Sequence, residues 1–115
     1  MKLDLAGAAK AVQMLGLLAD YFDGGGAPWT KWVHTDDDGG RCLIGAMDLL
    51  RKRHRLYGNA TRYYLLEAAG RPWHTLVGFN DYGCRDVPQL LDVMRRARRL
   101  AAADIEQHQP ARRAA

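Results

Sequence analysis

At 115 residues, 48% of them hydrophobic and 26% charged, the chain has the size and make-up of one globular domain, which excludes a wholly disordered polymer. Its formal charge of +4 is unevenly placed, with acid at Asp20, Asp23, Asp36, Asp37 and Asp38 and base at Arg51 to Arg55 and Arg95 to Arg99. Two cysteines, Cys42 and Cys84, make neither a disulfide framework nor a Cys-x-x-Cys pair, and no apolar run is long enough for a signal peptide or a membrane span, so a reducing cytoplasm is the expected compartment.

In chain order, residues 3–23 read as a helix, with Leu5, Ala8, Ala9, Val12, Leu15, Ala19 and Phe22 at the spacing of one buried face. Gly24-Gly25-Gly26 is expected to stop it, reinforced by Pro28. Trp29 to His34 suits a short extended segment, because threonine, valine and tryptophan favour strand geometry. Asp36-Asp37-Asp38-Gly39-Gly40 is a turn by composition. A second helix is expected from Cys42, with Leu43, Ala46, Met47 and Leu50 inward and Gly58 at its end. Its basic end, Arg51, Lys52, Arg53 and Arg55, suits the negative pole of the helix dipole. Asn59 is placed to cap a third helix that runs to Ala69, with Tyr64, Leu65 and Ala68 inward, and Gly70 closes it. After Pro72, a brief helical turn carries Trp73, Leu76, Val77 and Phe79 toward the core. The last helix runs from Val87 to about Gln107, with Val87, Leu90, Leu91, Met94, Ala97, Ala101 and Ile105 at helical period. The predicted fold is mainly α, a compact bundle of four or five helices over residues 1–108, followed by a flexible tail at 109–115.

Between the last two helices lies Phe79-Asn80-Asp81-Tyr82-Gly83-Cys84-Arg85-Asp86, an amide, carboxylates, a thiol and a guanidinium set against apolar segments. Polar groups in such a place must find partners, since leaving one buried and unpaired costs about 1–3 kcal/mol. Asp86-Val87-Pro88-Gln89 begins the last helix as a capping box, with proline in the first turn. Trp29, Arg41, Asn80, Asp81, Arg85 and Asp86 are therefore predicted to form a structural polar cluster, with Asn80 and Asp81 bonded to backbone near the start of the last helix, to Arg41 or to Arg85.

Three landmarks carry a resemblance. Gly26-Ala27-Pro28-Trp29-Thr30-Lys31 follows the first helix, Gly40-Arg41-Cys42-Leu43-Ile44-Gly45-Ala46 opens the second, and Phe79 to Val87 precedes the last. The chain resembles a family of small bacterial and phage proteins of unknown function, marked by a glycine–tryptophan turn, a Cys-x-x-Gly-Ala helix start and an aromatic-Asn-Asp stretch. It departs from that pattern where Phe79 replaces a tryptophan, Cys84 interrupts a Gly-Arg pair and Asp86 stands for a threonine. The resemblance implies a fold over residues 3–100 and brings no activity; its phage association suggests an inhibitor or modulator of a host nucleoprotein machine.

Three chemistries compete for the function. Cys42 at a helix start, His74 as base and Asn80 or Asp81 as orienting group follow the chain order of papain-like hydrolases, but no oxyanion hole or substrate cleft is evident. The clusters Arg51, Lys52, Arg53, Arg55 and Arg95, Arg96, Arg98, Arg99 would contact a nucleic acid if their helices lay side by side; a solvated helix surface looks the same. No metal or cofactor is expected: the acidic run lacks calcium-loop spacing, the four histidines lack ligand pairing, and Gly24 to Gly26 lacks a phosphate-loop context. The reading that results is a small non-enzymatic binding or regulatory protein, with a protein or nucleoprotein partner and no membrane.

Overall fold

Apolar residues at helical period build five α-helices, which the computed structural model places over described residues 5–23, 28–35 and 39–108. They are α1 (Leu5–Phe22), α2 (Leu43–His54), α3 (Ala60–Ala69), the short α4 (Leu76–Gly78) and α5 (Val87–Gln107). A π turn, Phe79–Gly83, continues α4, closed by the Cys84 N–H donating to the Phe79 carbonyl at 2.9 Å. The expected glycine stop at 24–26, the Asp36 to Asp38 turn and the 109–115 tail lie outside the described residues.

Helix α1 is the centre of a mainly α bundle, packing on α2, α3 and α5, while α5 also packs on α3. Its buried stripe is Ala8, Ala11, Met14, Leu15, Leu18 and Phe22, turned from the predicted face; Ala9 is exposed and Val12 and Ala19 only half-buried. Three neighbours rather than one explain the shift, because each takes part of a wide apolar face. Leu90, Met94, Ala97 and Ala101 of α5 meet the same core, with Leu43, Ala46 and Leu50 of α2, Leu65 of α3 and Leu76 and Phe79.

Local chemistry sets the helix ends. Cys42 caps α2, its Sγ accepting from the Gly45 N–H at 3.4 Å. That helix ends at His54, not Gly58: Arg55 takes the left-handed position with φ 55°, a conformation uncommon outside glycine. Asn59 precedes α3 but its side chain makes no capping bond. Gly70 closes α3, and Asp86 caps α5 by accepting from the Gln89 N–H at 2.9 Å. Gln89 reaches back to the Arg85 N–H at 2.8 Å, one residue beyond a standard capping box.

The expected extended segment at 29–34 does not become a strand. Trp29 and Thr35 each form an isolated bridge with Arg41, and bends lie between them. Two glycines permit close approaches around this loop. A Cβ at Gly45 would collide with the carbonyl oxygen of His34, and one at Gly83 would lie 2.5 Å from the Trp73 ring.

Two predictions follow from this packing. Gly45→Ala should lower stability by about 1–3 kcal/mol, read from the denaturant midpoint, because backbone cannot yield as a flexible side chain does. The second concerns Tyr64, whose hydroxyl donates to Asp104 at 2.6 Å; burial first, and then Asp104, push its phenol well above the ordinary 10.0. A phenol held protonated by the fold contributes stability that is complete below the unfolded value and is lost as pH rises toward the folded one. Tyr64→Phe should therefore cost about 1–2 kcal/mol at neutral pH and flatten the alkaline decline above about pH 10, measured by urea melts across pH.

Candidate functional site

Asn80, 1% exposed, uses all four hydrogen-bonding positions of its carboxamide. Oδ1 accepts from the Trp29 indole N–H at 2.6 Å and from the Leu43 backbone N–H at 3.0 Å. Nδ2 donates to the Thr30 carbonyl at 3.0 Å and to Asp81 Oδ1 at 2.9 Å. One side chain on the π turn thus holds both the 29–35 loop and the first turn of α2. Asp81 Oδ1 also accepts from the Trp32 backbone N–H at 2.8 Å. The expected partners were different: neither side chain bonds the start of α5, Arg41 or Arg85. The Arg41 guanidinium instead donates to Thr35 at 3.2 Å, its backbone bonding Pro28 and Thr30, and Arg85 is exposed.

Pinned at its N–H, Trp32 has φ 75°, an outlier for a bulky residue. The residue is 62% exposed, and its ring meets that of Tyr82, 73% exposed, edge to face with centroids 4.8 Å apart. Val33 and Val77 are exposed beside them. Trp32, Val33, His34, Cys42, Ile44, Val77, Asn80 and Asp81 line a cleft of about 200 Å³. Asp81 Oδ2 accepts no hydrogen bond among the described residues.

The hydrolase arrangement is not assembled. Cys42 lines the cleft but its Sγ is taken up as helix cap, and His74 is exposed and lies outside that lining. The histidine that does line it, His34, is held by Asp48 at 3.1 Å and Thr35 at 3.2 Å. Cys84 is buried, and burial pushes its thiol up, away from nucleophile chemistry. Among the described residues no group of three or more His, Cys, Asp or Glu is placed to hold a metal.

The basic clusters stand on helices with different main neighbours: α2 packs chiefly on α1 and α4, whereas α5 packs chiefly on α1 and α3. The second run is not one patch. Arg95 pairs with Asp23 at 3.3 Å and Arg98 lies over Gly16, both toward α1; Arg96 and Arg99 line a groove with Glu67 and Ala68 of α3. Arg51 pairs with Asp48 at 3.5 Å and lies over the Tyr57 ring, while Lys52, Arg53 and Arg55 are exposed.

Sequence reasoning missed Trp32, Val33, Ile44, Val77, Tyr82 and His34 as a group. A signal existed in Trp29-Thr30-Lys31-Trp32: two tryptophans three apart, in a loop without periodicity to bury both. Among the described residues no helix is long and apolar enough to cross a membrane. A family of unknown function, DUF6197, matches the chain over residues 7–100. No curated protein and no solved structure matches.

Asn80→Ala should destabilise by roughly 3 kcal/mol or more, because the Trp29 and Leu43 donors and the Thr30 acceptor lose their partner together. Asn80→Asp should fail almost as badly in denaturant melts at neutral pH, since it turns an acceptor toward the Thr30 carbonyl and Asp81. If Asn80→Asp melts like the parent, the amide donor is not what closes the loop.

Proposed function

The chain belongs to that DUF6197 family, and from this premise we propose that it is a non-enzymatic binding protein whose contact face is the Trp32–Tyr82 pair with Val33, Val77 and the cleft between them. The observation that carries the reading is Trp32. A large aromatic residue is held in left-handed backbone with its ring outward, a conformation that costs on the order of 1–3 kcal/mol. Such strain persists where the surroundings hold it, and here two Asn80 bonds and one Asp81 bond do so. Aromatic side chains on a rigid base suit protein recognition, because they offer large contact area at small entropic cost. A protein partner is therefore favoured over a nucleic acid, which the partly paired arginines serve less well.

A photo-cross-linking amino acid in place of Tyr82 should capture a partner in the cells that make the protein, and Trp32→Gly should abolish that capture while the fold melts no lower than the parent. The same cross-linker in place of Arg53 or Arg99 should capture nothing that depends on Trp32. Adducts confined to those two positions would overturn the aromatic face in favour of the basic clusters.

A further inference from the structure

We propose that the Trp32–Val77 cleft takes one cationic side chain of a partner protein, an arginine or a lysine, stem first among the apolar walls and head at Asp81. This rests on the contact face proposed above and adds the chemistry of what enters it. Size is the first argument: about 200 Å³ is below the ~300–1,000 Å³ of small-molecule sites and suits a single side chain. The walls are the second, since Val33, Ile44, Val77 and the indole of Trp32 match an aliphatic stem. Charge is the third. Asp81 spends Oδ1 on the Trp32 N–H and the Asn80 amide, and Oδ2 takes no bond among the described residues.

The basic groups nearby are turned to other partners. Lys31 lies over the Trp29 ring, Arg41 bonds Thr35, and His34 is held by Asp48 and Thr35. The carboxylate at the cleft is therefore the charge a newcomer meets. A guanidinium or ammonium there would gain a charge-assisted hydrogen bond from Oδ2 and an indole face beside it. An anionic head would meet a fixed carboxylate, and a neutral hydroxyl would gain the walls and one hydrogen bond to Oδ2 without the charge.

The test uses the parent protein and four probes on five-carbon chains: n-pentylguanidinium, n-pentylammonium, 1-pentanol and valerate. Methyl resonances of Val33, Ile44 and Val77 are followed in titration. The cations should bind about tenfold more tightly than pentanol, and valerate should not bind. Asp81→Asn keeps the Oδ1 acceptor that pins Trp32 and removes the charge, so in it the cations should bind no more tightly than pentanol. Equal binding of pentanol and the cations by the parent overturns the assignment, and so does a cation preference that survives Asp81→Asn. The parent titrations need no variant to fold. A failure here leaves the contact face of the cross-linking experiment standing, whereas adducts confined to Arg53 or Arg99 remove that face itself.

Discussion

The carboxamide of Asn80 is the constraint on which the rest depends. A helix bundle needs only apolar faces to collapse, and α1, α3 and α5 supply them. The 28–35 loop has no such face and forms no strand. Its position is set by hydrogen bonds, and Asn80 makes two of them, to Trp29 and Thr30, while it also holds Leu43 of α2. Because that amide is fully used, a change at any of those partners is felt at the others. A network with no spare position is stiff, and stiffness is what a contact face in a loop requires.

The bundle proper was largely readable. Apolar spacing located four long helices, and Asp86-Val87-Pro88-Gln89 announced the start of α5 because capping is local chemistry. The rotation of the α1 stripe was not readable, since it depends on which three helices surround it. Arg55 as a left-handed helix end broke the expectation that Gly58 would serve. Such misses share a cause: local propensity yields wherever packing around the site decides.

At the candidate site, sequence reasoning placed Asn80, Asp81 and Trp29 in one polar cluster but assigned the partners to the wrong place. The true partners are 37 to 51 residues away along the chain, and nothing in a spacing rule reports them. The π turn has no sequence period of its own, and it is what aims Asn80 at α2 and the loop rather than at α5. The arginine runs show the same limit from the other side. Their positions along the chain were plain, while the partners each arginine meets depend on how α1 and α3 lie against their helices.

The three tryptophans, finally, divide fold from function. Trp29 donates its indole N–H to Asn80, so its side chain belongs to the knot. Trp73 lies against Gly78 and Gly83, where a Cβ would meet its ring, so its side chain belongs to the packing of the π turn. Trp32 gives the fold its backbone N–H, which Asp81 accepts, while its ring meets only the equally exposed Tyr82 among the described aromatic rings. Any residue but proline has that donor, and at φ 75° glycine would supply it with less strain. The exposed indole is therefore not required by the hydrogen bond that places it. A side chain that local conformation disfavours, and that the core does not use, is what the proposed contact face would explain.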